Sequence, residues 1–85
     1  MTKEVVENEK WNSIEQSIIY QEKALNSGIF SNGRYYDFYM KKEALSAEKF
    51  VHEKMDEFIE KTTVIDIENN FRTLYRLTIV FKKKD

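Results

Sequence analysis

The chain has 85 residues, a formal net charge of −1 and no cysteine. A length far below about 250 residues makes one small domain with a thin core and little room for a deep substrate pocket. Without thiols there are no disulfides, thiolate nucleophiles, iron–sulfur clusters or zinc-finger cages. Hydrophobic residues make up 41% and aromatics 14%, enough apolar volume to fold rather than stay disordered. The start, Met1-Thr2-Lys3-Glu4-Val5-Val6-Glu7, has no apolar stretch after a basic residue, so no signal peptide is expected. Apolar runs such as Ile18-Ile19-Tyr20 fall far short of the roughly 20 residues of a membrane span, so no membrane partner is expected. Together these features predict a cytoplasmic protein. The use of Lys, Glu, Ile, Asn and Tyr suits a low-GC bacterium, its plasmid or its phage.

The first predicted element is a helix over 8–26. Trp11, Ile14, Ile18 and Leu25 recur at helical spacing on one face, and Ile19 and Tyr20 broaden it. Asn8 or Asn12 is the expected cap at its start. Asn26-Ser27-Gly28 marks its end, with Gly28 in the left-handed position. Asn32-Gly33 reads as a turn. A strand is predicted over 34–40, with Tyr36, Phe38 and Met40 on one face and Tyr35, Asp37 and Tyr39 on the other. Tyr36, Met40, Ala44, Ala47, Val51, Met55 and Phe58 also fit a single helix over 34–61, because no Pro or Gly interrupts that stretch. Strand then helix is preferred, since clustered aromatics suit a sheet better than a helix interior.

The second helix is predicted over 43–61, with Ala47, Phe50, Val51, Met55, Phe58 and Ile59 as its apolar face. Phe50, Met55, Phe58, Leu77 and Ile79 are expected to be buried together where it crosses the sheet. Two strands follow, 62–68 and 73–82. Placing Ile65 and Ile67 on the face of Tyr75 and Leu77 pairs Ile65 with Leu77 and Ile67 with Tyr75. That register needs an odd loop, such as Asn70-Phe71-Arg72, with Phe71 exposed near the tip.

The fold class is therefore α+β, a small α-β-α-β-β domain covering 1–85. Its two helices should pack on one face of a three-stranded antiparallel or mixed sheet. This order partly resembles a winged-helix domain, in which a short strand precedes a recognition helix and a hairpin wing follows. The resemblance is topological and carries no sequence motif.

Catalytic signals are weak. His52-Glu53-Lys54-Met55-Asp56 has the outline of a zinc-protease motif with Asp in place of the second His. Glu48, His52 and Asp56 fall along one helical flank. One imidazole on a charged helix face is better read as a solvated surface. The serines lack a second base, and two glycines do not build a phosphate loop. No catalytic residue, metal, cofactor or small-molecule substrate is expected, and the chain is not expected to be an enzyme.

Binding signals are stronger. The C-terminal stretch is basic, while the rest is acidic. Arg34, Arg72, Arg76, Lys82, Lys83 and Lys84 are the expected nucleic-acid contacts. Trp11, Tyr35, Tyr39 and Phe71 are the expected interface residues, as aromatics available to stack on bases or anchor a partner. The sequence thus predicts a DNA-binding accessory or regulatory protein that uses hairpin 62–82 as a wing on double-stranded DNA. The alternative is a phage- or plasmid-type inhibitor or adaptor that meets a host or phage protein through its acidic helices. A homodimer is expected, because self-association would cover apolar surface that so small a core leaves open.

Overall fold

The computed structural model describes residues 3–83, with side chains for 10–68 and 70–83. The elements are α1 (Lys3–Asn26), β1 (Ser31–Phe38), α2 (Lys41–Met55), a 3-10 turn (Asp56–Phe58), β2 (Ile59–Asn69) and β3 (Arg72–Lys82). The sheet is antiparallel in the order β1-β3-β2, so the last strand lies in the middle. Both helices cover one face of it. The α-β-α-β-β order is the one the sequence predicts.

Helix α1 begins at Lys3 rather than at residue 8. Asn8 and Asn12 therefore lie within the helix and do not cap it. Ile14, Ile18 and Leu25 are buried, as the periodicity requires, and Ala24 and Gln21 join them. Ile19 and Tyr20 do not broaden the buried face; they are 50% and 58% exposed. The helix meets its neighbours along one narrow stripe, and these two side chains fall outside it. The end is as expected. The Ile29 N–H donates to the Ala24 carbonyl at 3.1 Å and the Gly28 N–H to the Leu25 carbonyl at 3.4 Å. This double bond pattern needs a left-handed residue, and Gly28 supplies φ 117°.

Asn32-Gly33 is not a turn. It lies inside β1, opposite Phe81 and Val80, and the strand runs 31–38 instead of 34–40. A longer central partner strand is available there, and pairing with it satisfies the backbone that a stubby hairpin would leave free. Tyr36 and Phe38 point to the helices as predicted, with Phe38 buried. Met40 instead sits outside the strand, 41% exposed, where its carbonyl accepts from the Glu43 and Ala44 N–H groups at the start of α2. The single helix over 34–61 does not form. Helix α2 also stops at Met55, short of residue 61. Phe58 falls in the turn, and Ile59 is buried as the first residue of β2 rather than as part of the helix.

The hairpin register differs by one residue from the expected one. Val64, not Ile65, lies opposite Leu77, and Thr62 lies opposite Ile79. The loop is two residues, Asn70-Phe71, with φ of 49° and 67°. Paired positive φ values are those of a type I′ turn, whose twist matches the flanking strands. Shifting the pairing by one flips every side chain of β2. Ile65 and Ile67 therefore face away from the helices, while Asp66 and Glu68 take the other side. Those two are exposed because the helix layer ends before the tip, so nothing there requires apolar residues. A register shift between Ile59 and Lys61 returns Ile59 to the core side.

The core joins Ile14, Ile18 and Leu25 of α1 to Ala44, Ala47, Val51 and Met55 of α2, over Phe38, Ile59, Leu77, Ile79 and Phe81. Met55, Leu77 and Ile79 are buried as expected. Phe50 and Phe58 are only partly buried, packed at the edge. Phe81, fully buried on the central strand, takes the role expected of Phe58. Phe81→Ala should cost about 3–5 kcal/mol, a large part of the stability of a domain this size, measured by chemical denaturation. Gln21 is fully buried; its Oε1 accepts from Asn32 Nδ2 at 2.7 Å, and its Nε2 has no partner. Gln21→Met combined with Asn32→Val removes the orphaned amide without stranding Asn32 Nδ2 and should raise stability by about 1 kcal/mol, and a loss in the same denaturation assay would contradict this.

Candidate interaction surface

The pleat defines a second face of the sheet that no described element covers. Residues directly opposite one another share a face, so three rows follow from the register. Tyr35, Thr78 and Thr63 form one row. Asp37, Arg76 and Ile65 form the next. Gly33, Val80 and Lys61 form the third. Toward the tip, Leu74 faces Ile67 and Arg72 faces Asn69; at the other end Lys82 faces Ser31. An aliphatic patch of Ile65, Ile67 and Leu74 thus lies toward the tip, Thr63 and Thr78 hold the middle, and Val80 stands apart near the other end. Lys61, Arg72, Arg76 and Lys82 are its cations, and Asp37 is the carboxylate paired within it.

One side of this face is tightly organised. Arg76 donates from Nε to Asp37 Oδ1 at 2.8 Å and from Nη2 to Oδ2 at 3.1 Å. This two-pronged bond fixes the guanidinium plane. The same group lies 4.0 Å over the Tyr35 ring. Lys10 of α1 donates to the Asp37 carbonyl and lies 4.8 Å from the centre of the Phe38 ring. Hydrogen bonding from Arg76 outweighs partial burial and holds the Asp37 carboxyl below its ordinary pKa; the same bond raises that of Arg76.

The residues singled out from the sequence do not converge. Arg72 and Lys82 lie at opposite ends of β3, about 33 Å apart at about 3.3 Å per residue. Arg76 is engaged by Asp37. Lys82 lies 5.0 Å over the Phe30 ring, and Lys83 is exposed just beyond the strand. Arg34 is opposite Ile79 and so belongs to the helix side, exposed at the β1 edge. Lys84 lies outside the described residues. Trp11 packs edge-on against Phe50, with ring centroids 5.3 Å apart, at the rim of the core. Tyr35, Tyr39 and Phe71 are exposed. Sequence reasoning missed Ile65, Ile67 and Val80 as surface residues. The one-residue register error hid the first two, and the signal that would have revealed them is a two-residue turn at Asn70-Phe71.

On the helix side, His52 Nδ1 lies 3.1 Å from Asp56 Oδ1 and its Nε2 lies 3.0 Å from Thr62 Oγ1. Thr62 donates in turn to Glu48 Oε2 at 2.7 Å. These bonds tie the end of α2 to the first residues of β2. Among the described residues, no three His, Asp or Glu side chains are grouped to hold a metal ion. An open groove of about 440 Å³ runs between α1 and β1, lined by Ser13, Gln16, Ser17, Tyr20, Arg34, Tyr35 and Tyr36. No described helix is long and apolar enough to cross a membrane. Comparison with protein-family models, curated proteins and solved structures finds no match for the chain.

The Asp37–Arg76 pair makes a pH prediction. A carboxyl with a lowered pKa in the folded state stabilises the fold above its unfolded pKa, and that contribution is lost as pH falls through the folded value. Asp37→Asn should lower the melting temperature slightly at neutral pH and flatten the stability loss of the parent on acidification below about pH 4. Parallel melting curves from pH 7 to pH 2 would check both.

Proposed function

We propose that the chain is a non-catalytic binding module whose working surface is the uncovered face of the sheet. Its partner is a protein presenting an acidic surface beside an apolar one. The observation that carries this reading is the make-up of the face. Ile65, Ile67 and Leu74 form an aliphatic patch, Arg76 stacked on Tyr35 lies beside it, and Arg72 at one end and Lys61 and Lys82 at the other add cations along the same face. An exposed aliphatic patch beside a stacked Tyr and Arg is the kind of surface that anchors a protein interface. The excess of cations selects an acidic partner and speeds its capture. The same excess argues against a second copy seated on this face, because like charges would meet across a two-fold axis.

Double-stranded DNA remains the second reading, favoured by that same cationic rim on a hairpin. It is weaker because Arg76 is already paired and the other cations are spread along the strand. Phosphates also gain nothing from the aliphatic patch.

A direct test immobilises the chain and presents a host lysate, and separately a duplex library at about 50 and 200 mM salt. A specific protein should be retained by the parent and lost with Lys61→Glu plus Ile65→Glu. It should be kept with Glu22→Lys on the exposed side of α1. Unchanged melting curves would show that all variants fold. Retention of duplex with steep salt dependence, and of no protein, would establish the DNA reading instead.

A further inference from the structure

We infer that Phe71, at the tip of the β2–β3 hairpin, is an anchor that inserts into an apolar pocket of a protein partner. Three observations meet at this residue. Its side chain is fully exposed, more so than any other large apolar side chain described. Its backbone has φ 67°, in the left-handed region. A bulky residue is a true outlier there, and the second position of a type I′ turn is ordinarily glycine. The hairpin also carries it clear of the body, since β1 reaches only Tyr75 along β3 and Arg72 to Leu74 extend beyond.

The free chain therefore gains nothing from a phenyl ring at position 71. It bears an unfavourable backbone conformation and unburied apolar surface together. Glycine would remove both, so the benefit of the ring lies in a contact the free chain does not make.

The surroundings select the partner class. Glu68 and Arg72 are the charged residues nearest the tip, one acid and one base, so it carries no net charge. Phosphates, whether of a duplex or of an anionic bilayer, are not attracted there, which disfavours a wedge between base pairs or a lipid anchor. A protein cavity wide enough for one benzyl group fits an uncharged ring on a narrow, twisted stalk. The turn fixes the Cα–Cβ direction at the tip, so only the two side-chain torsions of the ring remain to be ordered on insertion.

This inference rests on the protein-binding reading for the class of partner, but its test is separate. Phe71→Gly should raise the melting temperature of the free chain by about 4 °C or more. A photo-crosslinking phenylalanine analogue at position 71, introduced in the host cell, should give one discrete protein adduct. The same analogue at Phe30, exposed at the far end of the molecule, should not give it. The protein identified from that adduct, once purified, should bind Phe71→Gly at least tenfold more weakly than the parent, while Phe71→Leu retains most of the affinity. A melting temperature that fails to rise would overturn the strain argument. Absence of a position-specific adduct, or adducts to nucleic acid or lipid alone, would overturn the anchor. If Lys61→Glu plus Ile65→Glu abolishes partner binding and Phe71→Gly does not, the anchor fails and the sheet-face reading stands. If Phe71→Gly abolishes it and the sheet variant does not, the anchor stands and the sheet-face reading fails.

Discussion

The structure depends on the one-sided burial of β3. This strand lies between β1 and β2, and its inward row of Leu77, Ile79 and Phe81 is closed off by both helices. With two short layers there is one core, and each element can bury only one stripe. Everything on the other side of β3 is left to solvent or to a partner. Arg76, Thr78 and Val80 alternate with the buried residues for that reason, not by separate design.

The open face is held in shape from the side. Asp37 receives Arg76 on the outside, while Lys10 reaches its carbonyl from α1. A single residue of an edge strand thus links the helix layer to the exposed side of the sheet. The guanidinium fixed there lies flat on Tyr35, which gives the face one rigid corner. At the opposite edge, the Glu48–Thr62–His52–Asp56 bonds fasten α2 to the start of β2. The Glu48, His52 and Asp56 flank of α2 thus has a structural use, through Thr62. It lets the chain leave the helix through a 3-10 turn and enter the strand at Ile59.

The hairpin is the other consequence. Strands of 11 residues span about 36 Å at about 3.3 Å per residue, which accounts for most of the 41 Å length of the molecule. The helices and β1 support only part of that length. The tip is a stalk with both faces in water, and its sequence is free to serve a partner instead of the core. Asp66 and Glu68 on one side and Phe71 at the end express that freedom.

The sequence by itself determined the element order and the buried stripe of α1. Those features follow from local periodicity and from Gly28, whose backbone freedom the helix end requires. It also showed that Phe71 is exposed and that the inward residues of β3 are Leu77 and Ile79. The tertiary structure alone decided the hairpin register, and with it which side of β2 faces the helices. Ile65 and Ile67 fit either side by alternation, and the choice was made by a two-residue turn whose twist suits the strands better than an odd loop. It alone decided that Asn32-Gly33 joins a strand, because the satisfying partner is some 50 residues away in Val80 and Phe81. It alone paired Arg76 with Asp37 and set Arg34 on the helix side, because those partners lie some 40 positions apart in the chain. Local propensity has no access to these long-range pairings, and they settle which side chains stand together at the surface.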